Sequence, residues 1–308
     1  MTRINTDLTA ASVALCLLLS FSPQAHGDNP PVSGGMTDGP AWHAGDHHIH
    51  SRYSVGWNKE TSPPTPIVAG DAIYPIGMNA AMARYYGLSW VVATDHGGPM
   101  HSKVNFELAY PELVQSRKVV PEVVQFAGME LNTPGADHSS LIMAHTADEA
   151  ERLRDLESRF DRIEPWPADA SWNDEARMLE ALRVMKGFPE PPVVIANHPS
   201  RSATDVGVYG ITSPAELRNW NDTAPGIAIG MAGAPGHQAK TIERDGSRRD
   251  AHRGSYGRSP TLGGFDQMTA RVGGFWDGML GEGRHWWITA NSDSHVNWRE
   301  GGSDFWPG

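Results

Sequence analysis

The residues best placed to do chemistry are two histidines, His48 and His50, which stand close to Asp46. Side chains at positions i and i+2 of an extended strand project from the same face, so the two imidazoles would lie side by side. Two adjacent imidazoles with a nearby carboxylate are a natural start for a metal site. Further candidate ligands lie next to apolar runs that predict strands: Asp95, His96, Glu130, His138, His198, Asp293 and His295.

The candidate ligands are imidazoles and carboxylates, without sulfur. The only cysteine, Cys16, lies in an apolar N-terminal run that we interpret below as a targeting segment. Nitrogen and oxygen donors of this kind suit Zn, Mn or Fe rather than copper or an iron–sulfur cluster. Glu130 could bridge two ions roughly 3.5–4 Å apart through its two oxygens, and a bridging hydroxide would then be the nucleophile. The sequence therefore predicts divalent metal ions, with Mn or Zn preferred and Fe as a further candidate.

Seven apolar runs predict the strands that would position these side chains. They are residues 42–50, 88–94, 123–129, 138–145, 193–197, 226–232 and 285–290. Helices are predicted between them at residues 79–86, 111–118, 147–160, 173–187, 214–220 and 264–280. Asn173 is the predicted N-cap of its helix. Phe265, Met268, Val272 and Trp276 are a predicted core stripe of the last helix.

The alternation of strands with helices predicts an α/β fold with a parallel sheet. The polar clusters fall at the C-terminal ends of predicted strands, where a closed β/α barrel places its active site. Residues 42–308 contain no repeat, linker or low-complexity tract, and we expect them to form a single domain. Residues 51–66 and 233–261 are predicted to be long loops that shape the pocket.

The N-terminus has the pattern of a cleavable secretory signal. Residues 10–21 are apolar, and Ala25 and Gly27 supply small residues at the −3 and −1 positions, which predicts cleavage after Gly27. The run is too short to span a membrane, and no later stretch is apolar enough to do so. Residues 28–41 are rich in proline and glycine and predict a flexible lead-in. We expect a periplasmic or secreted protein; a buried N-terminal helix is the alternative.

The charge of the chain limits the kind of partner it would bind. The formal net charge is −11, and proteins that follow long nucleic acids need lysine and arginine to replace counterions. No nucleic-acid partner is therefore expected, and a small substrate fits better. No pattern in the sequence points to an oligomeric state.

The motifs resemble those of the PHP (polymerase and histidinol phosphatase) family. The first family motif, Asp-x-His-x-His-Ser/Thr, matches residues 46–51, and the second, Thr-Asp-His, matches residues 94–96. Glu130, His138, the His-Pro pair at 198–199 and the Ser-Asp-x-His motif at 292–295 follow in the family's order. The resemblance covers about residues 42–296. It implies a distorted (β/α)7 barrel with two or three metal ions at the C-terminal ends of the strands, and hydrolysis of phosphate monoesters or diesters.

Carried over position by position, the resemblance also implies the ligand sets. The first ion would be held by His48, His50, Glu130 and Asp293, and the second by Glu130, His138 and His198. A third ion would use His96 and His295 with an Asp or His five or six residues after His50. Val55 and Gly56 stand at those positions and offer no side-chain ligand. We therefore predict two ions, with a third as the alternative, and His96 and His295 left for proton transfer or phosphoryl contact.

Several of these residues have alternative interpretations. His145 at the far end of the same predicted strand is the rival of His138, which we favour because it precedes the apolar run. Asp95 is predicted to orient a histidine rather than to bind metal. Arg201 could bind a phosphate oxygen or lie on the surface. His101 is either a substrate contact or a loop residue without a role.

The sequence thus predicts an exported, metal-dependent phosphoesterase acting on a small-molecule phosphate ester. His96 or His295 would assist the leaving alkoxide, with Asp95 and Arg201 as supporting site residues. We favour organic phosphodiesters over monoesters, because a reduced metal site with few nearby lysines or arginines suits a monoanionic substrate. The alternatives are a hydrolase of carboxylic esters, carbamates or amides on the same fold, a nuclease, and a metal-binding module without catalysis.

Overall fold

The computed structural model describes residues 42–236, 247, 261–262 and 264–296. Its strands are β1 (Gly45–Ile49), β2 (Gly56–Asn58), β3 (Thr65–Ile67), β4 (Trp90–Ala93), β5 (Val124–Asn132), β6 (His138–Ile142), β7 (Val193–Asn197), β8 (Ala228–Pro235), β9 (Thr261–Leu262), β10 (Phe265–Asp266) and β11 (Trp287–Asn291). Its α-helices are α1 (Ile76–Tyr85), α2 (His101–Val104), α3 (Tyr110–Val119), α4 (Glu149–Phe160), α5 (Glu175–Lys186), α6 (Pro214–Thr223), α7 (Gln267–Ala270) and α8 (Phe275–Gly281). A π-helical turn, Asn105–Ala109, joins α2 to α3, and a 3-10 turn, Ala170–Trp172, precedes α5.

Seven strands form one central sheet in the order β1-β4-β5-β6-β7-β8-β11. The two outermost strands approach each other again beyond β11, where the Asp293 N–H donates to the His48 carbonyl at 2.9 Å. The His50 N–H donates in turn to the Ser294 carbonyl at 3.0 Å. These bonds make the sheet a nearly closed, barrel-like structure within a mixed α/β fold, which agrees with the predicted α/β class and with a barrel; the PHP type of barrel stays a prediction.

The direction of β6 differs from the predicted parallel sheet. β6 is antiparallel to β5 and to β7, whereas the other neighbouring pairs in this sheet are parallel. Only residues 133–137 connect β5 to β6, and a parallel crossover needs about a dozen residues or more. The connection is therefore a hairpin, and the start of β6 lies at the same rim of the sheet as the end of β5.

The hairpin between β5 and β6 is held in place by glycine and arginine. Gly135 has a φ of 80°, a conformation that side chains with a Cβ rarely adopt. The Arg162 guanidinium donates to the carbonyls of Thr133 and Ala136. These contacts fix the residues that immediately precede His138.

The hydrophobic core lies between the sheet and the helices that cover it. Leu153, Leu156 and Phe160 form the buried stripe of α4, at the spacing of one helical face. They belong to the same buried cluster as Met129 and Leu141 of the sheet. Burial of one such side chain contributes about 1.5–3 kcal/mol. This packing makes the strands a rigid support for the side chains at their ends.

The predicted single helix at 264–280 is wrong. The chain forms β10, α7 and α8 there, and Gly273 with a φ of 84° separates the two short helices. A Cβ on Gly274 would lie only 2.4 Å from the Met268 carbonyl oxygen. Val272, predicted to lie in the core stripe, is 89% exposed, whereas Met268 is fully buried. The glycine pair therefore ends the helix that the apolar spacing suggests.

Two smaller predictions also need correction. Asp174, not Asn173, is the N-cap of α5 and accepts a hydrogen bond from the Ala176 N–H. Asn173 instead accepts a hydrogen bond from the Gly135 N–H. The predicted loop at 51–66 contains β2 and part of β3, which pair as a short antiparallel ribbon.

Residues from His43 onward belong to one compact unit, and the preceding unit, Met1–Trp42, is described only at Trp42. The predicted signal at 1–27, the lead-in at 28–41 and most of the predicted loop at 233–261 lie outside the described residues. Among the residues described, none of the helices combines the length and the apolar character needed to cross a membrane.

Candidate metal centre

One rim of the central sheet carries all the metal ligands proposed from the sequence. β1, β5, β7 and β11 end at this rim, and β6 begins there. The side chains form three groups, in each of which the ligand atoms lie within 4.8 Å of one another. The first group is His48, His50, Glu130 and Asp293; the second is Glu130, His138 and His198; the third is His50, His96 and His295.

The first group is buried and closely spaced. His48 Nε2 lies 3.1 Å from Glu130 Oε1 and 3.2 Å from Asp293 Oδ1. His50 Nε2 lies 3.1 Å from Asp293 Oδ1 and 3.0 Å from His48 Nε2. Ligand bonds of about 2.0–2.2 Å to a shared ion place neighbouring donor atoms about 3.0–3.5 Å apart. These four residues could therefore hold one metal ion.

Glu130 joins the first group to the second. Its Oε1 lies 3.0 Å from His138 Nδ1 and 3.0 Å from His198 Nε2, and its Oε2 lies 3.5 Å from His50 Nε2. The Glu130 carboxylate therefore faces histidines of both groups at ligand spacing. The carboxylate is thus placed to bridge two ions.

The ionisable groups at this rim shift one another's pKa strongly. Burial raises the pKa of Glu130, but His48 and His138 outweigh burial and hold that pKa well below its usual range. Burial and the positive charge of His295 hold the pKa of His50 well below its usual range. Glu130 and His50 thus have the protonation states that divalent metals require of their ligands. Burial lowers the pKa of His48, but Asp293 and Glu130 outweigh it and raise that pKa, so His48 would give up a proton on binding an ion.

Ser54 sets the tautomer of His50. The Ser54 hydroxyl donates to Asp95 Oδ1 at 3.0 Å, and it therefore accepts the hydrogen bond of 2.8 Å that joins it to His50 Nδ1. With its proton on Nδ1, His50 presents the Nε2 lone pair to the first group. Asp95 also accepts from the Ser51 N–H and hydroxyl. The predicted role of Asp95 in orienting a histidine is thus exerted through Ser54.

Asn197 contacts the site but is not among the candidate residues predicted from the sequence. Its Nδ2 donates to Glu130 Oε1 at 3.1 Å, and its Oδ1 accepts from the Ser140 hydroxyl at 2.9 Å. Ser140 in turn contacts His47 Nδ1 at 3.0 Å. His47 is buried and belongs to none of the three groups, so it contacts the site only through Ser140. Asn197 precedes the His-Pro motif directly, which is the one signal in the sequence that marks it.

Two of the ligands stand on unusual backbone conformations. His198 has a φ of 30° and Asp293 a φ of 50°, both of which are uncommon for residues other than glycine. Such strained positions cluster at functional sites, where the surrounding structure holds them. For Asp293 the surrounding structure includes the backbone hydrogen bond to the His48 carbonyl.

The third group contains an acid that the sequence pattern missed. Asp71 Oδ2 lies 3.1 Å from His96 Nε2 and 3.5 Å from His295 Nε2. Val55, at the position where the family pattern places such a ligand, is buried in the hydrophobic core instead. Counting residues from His50 fails because the β2–β3 ribbon lies between His50 and Asp71. His96 and His295, which we predicted to serve in proton transfer or phosphoryl contact, thus have an acidic neighbour in Asp71.

No protein-family model and no curated protein matches this chain. The resemblance to the PHP family rests on the motifs quoted above and stays a prediction. The compatibility with a metal ion rests on the side-chain geometry of the described residues.

Arg201 lies beside the second group and is held there by Asp137. Its Nε and Nη2 donate to the two Asp137 oxygens at 2.7 and 2.6 Å. Asp137 Oδ2 also lies 3.8 Å from His198 Nδ1. Burial raises the pKa of Asp137, but His198 and Arg201 outweigh it and hold that pKa below its usual range. Arg201 is thus a fixed cation at the rim. Only Nη1 of its guanidinium takes no part in the ion pair with Asp137.

Two other histidines lie away from the groups. His145 is exposed at the opposite end of β6 from His138. His101 is buried, pairs with Glu157 and hydrogen-bonds to the Tyr53 carbonyl at 2.8 Å. His101 is thus neither a substrate contact nor a loop residue without a role, but a structural residue at the start of α2.

Proposed function

We propose that this protein is a metal-dependent hydrolase of phosphate esters, of the PHP type. The observation that carries the proposal is the sharing of the Glu130 carboxylate between two groups of buried and partly buried histidines at one rim of the sheet. Ions bound there would acidify a water and neutralise charge on phosphoryl oxygens. The motifs and their order along the chain support the same activity.

The chain's own residues would bind and orient an anionic substrate at this rim. Arg201 is the one described cation fixed next to the second group, and its bidentate bond to Asp137 limits its movement. A guanidinium held in this way offers its remaining N–H edge to an anionic oxygen. Asn197 and Ser54 would keep Glu130 and His50 in their binding orientations.

Arg201 gives a test of substrate recognition. We expect Arg201→Met to raise KM for an aryl phosphate by on the order of tenfold or more, because a charge-assisted hydrogen bond is lost. Metal content should stay at the wild-type level, since Arg201 is not a ligand. Steady-state kinetics with metal analysis would measure both. An unchanged KM would contradict a role in substrate binding.

The reaction class is tested by comparing substrates. The Mn- or Zn-loaded protein would be assayed with an aryl phosphate diester, an aryl phosphate monoester, an aryl carbamate and a short oligonucleotide. Release of the aryl alcohol from either phosphate ester that disappears in His138→Ala but persists in His145→Ala would support the proposal, because His138 begins β6 and His145 follows the same strand. Turnover of the carbamate alone would replace the proposal by the ester or amide alternative. No turnover of any substrate by metal-loaded protein would favour a non-catalytic metal-binding module.

The predicted signal peptide lies outside the described residues, and export of the protein is therefore part of the proposal. An exported enzyme would recover small phosphate esters outside the cytoplasm. N-terminal sequencing of protein from the culture medium or periplasm would detect the expected cleavage after Gly27.

A further inference from the structure

We infer that His47, which belongs to none of the ligand groups, is a positioning residue for the shared carboxylate of Glu130. It acts through a chain of hydrogen bonds that passes through Ser140 and Asn197. The side chains of His47, Ser140 and Asn197 are at most 1% exposed, so water does not compete for these bonds. This role concerns the metal ions of the proposed function, on which it rests, and not the ester that is hydrolysed.

The hydrogen-bond chain crosses five strands of the central sheet. On β1, His47 Nδ1 lies 3.0 Å from Ser140 Oγ on β6, and His47 Nε2 lies 2.7 Å from Thr289 Oγ1 on β11. Ser140 Oγ lies 2.9 Å from Asn197 Oδ1 on β7. Asn197 Nδ2 lies 3.1 Å from Glu130 Oε1 on β5. A ring on the first strand therefore reaches a candidate ligand through side chains that are not ligands themselves.

The charge of Glu130 sets the direction of the chain at the rim. A carboxylate that binds a divalent metal is ionised and only accepts hydrogen bonds. The Asn197 atom that faces it must therefore be the NH2 group, which leaves Asn197 Oδ1 facing Ser140. The Ser140 hydroxyl has one proton, and it donates this proton to Asn197 Oδ1 at 2.9 Å in preference to the His47 carbonyl at 3.1 Å.

The position of the proton on His47 follows from these bonds. Because Ser140 donates to Asn197, it can only accept from His47, so His47 Nδ1 carries the proton. His47 Nε2 is then an acceptor, and two donors face it: the Thr289 hydroxyl at 2.7 Å and Asn291 Nδ2 at 3.4 Å. Burial lowers the pKa of His47 to about 3, which keeps the ring neutral with one donor and one acceptor nitrogen.

The opposite tautomer would reverse the chain. A proton on His47 Nε2 would make Nδ1 an acceptor for the Ser140 hydroxyl, and Asn197 Oδ1 would lose its donor. The Asn197 amide would then turn over and place its oxygen at the rim, at the position 3.1 Å from Glu130 Oε1 and 3.5 Å from His48 Nε2. The tautomer of His47 thus decides whether Asn197 offers the rim a hydrogen-bond donor or a further oxygen ligand.

The first test determines this tautomer by NMR spectroscopy. Wild-type protein labelled with ¹⁵N in its histidine rings would be measured metal-free and loaded with Zn²⁺, and the His47 signals are those missing from the spectrum of His47→Asn. We expect the proton on Nδ1 in both states. A proton on Nε2 in either state would overturn the inference and make Asn197 a candidate metal ligand.

The second test measures the affinity for Mn²⁺ or Zn²⁺ by competition with a chelating dye. His47→Leu cannot donate to Ser140, and we expect its affinity to fall by about 10–100-fold, the usual effect of losing a residue that orients a ligand. His47→Asn has nearly the same shape as His47→Leu but keeps an N–H close to the position of Nδ1, so it should restore most of the affinity. Ser140→Ala breaks the chain at its next member and should match His47→Leu. His43→Leu, at an exposed position before β1, is the control and should bind as the wild type does.

The outcomes separate this role from the proposed function. Equal affinities of the wild type and His47→Leu, or equal losses in His47→Leu and His47→Asn, would contradict the positioning role alone. Neither test uses a substrate, so absence of hydrolysis by metal-loaded protein would contradict the proposed function and leave the role of His47 standing. A wild type that binds no metal would contradict both.

Discussion

The chemistry of the rim depends on which nitrogen of each histidine carries the proton. His50 donates a hydrogen bond from Nδ1 to the Ser54 hydroxyl, and His295 donates one from Nδ1 to the Asp293 carbonyl. The His50 ring therefore directs an Nε2 lone pair towards the carboxylates of the first group. Ser54 is central to this arrangement, because it also accepts from the His96 N–H at 3.2 Å and donates to Asp95. The Ser54 hydroxyl, which is not one of the proposed metal ligands, thus positions His50 of the first group and His96 of the third.

Replacement of Ser54 by alanine should weaken metal binding without unfolding the protein. The His50 ring would lose its hydrogen-bond partner, and loss of such a partner typically lowers metal affinity by about 10–100-fold. Competition with a chelating dye would measure the affinity. Ser158→Ala on α4, where the hydroxyl contacts only the Asp155 carbonyl, is the matched control. Equal affinities in the two variants would show that Ser54 does not orient His50.

At the scale of strands, the ligands meet only if neighbouring strands keep their register. β8 and β11 approach closely at Gly230, where a Cβ would lie 2.2 Å from the Trp287 carbonyl oxygen. β11 leads directly to Asp293 and His295. The absence of a side chain at Gly230 therefore allows the strand that carries the last two ligands to pack in place.

Gly230→Ala should destabilise the protein by about 1–3 kcal/mol, because the added methyl forces the two strands apart. Gly226→Ala is the control, since a Cβ there has no neighbour within 4 Å among the described atoms. Denaturant unfolding of metal-loaded protein would give both values. Equal free energies of unfolding for the two variants would contradict the close approach of β8 and β11.

A second element-scale feature is the buried pair between α2 and α4. Burial lowers the pKa of His101, but the charge of Glu157 outweighs it and raises that pKa to about 9. The folded pKa thus exceeds the value of about 6.5 expected in the unfolded chain. The stabilisation by this pair is complete below about pH 6.5 and is lost as pH rises through about 9.

Stability measured between pH 6.5 and 9 should therefore fall more steeply in the wild type than in His101→Gln. The difference should be on the order of 1–3 kcal/mol across this range. Unfolding curves at a series of pH values and constant metal load would measure it. Parallel pH profiles for the two proteins would argue against a charged His101–Glu157 pair.

For the whole molecule, the ligand groups connect distant parts of the chain. The first group alone joins β1, β5 and the segment after β11, and the second adds β6 and β7. A bound ion would therefore tie together the two sides of the nearly closed sheet. Binding to the folded state alone stabilises it by about 4 kcal/mol at a free ligand concentration 1,000 times Kd.

Chelation should accordingly lower the Tm of the metal-loaded wild type, and re-addition of Mn²⁺ or Zn²⁺ should restore it. His48→Ala should show a smaller change on chelation, because it lacks one ligand of the first group. Calorimetry with and without chelator would measure both. An unchanged wild-type Tm after verified loss of metal would mean that the ligand groups do not hold the sheet together.

Much of the local structure follows from short-range patterns. β7 was predicted at its observed bounds, 193–197, because a short run of β-branched and apolar residues lies between helix and turn signals. The first-group ligands were predicted because their motifs each span only a few residues. The break at Gly273 was missed because apolar spacing alone does not register a positive φ.

The sequence by itself determined the ligand types, the strands that carry them and hence the class of ion they could bind. Only the tertiary structure decided the direction of β6, the placement of Asp71 beside His96 and His295, and the roles of Ser54 and Asn197. These features depend on contacts between residues far apart in the chain. Such contacts form when burial of the core brings the strand ends together, and no local periodicity encodes them.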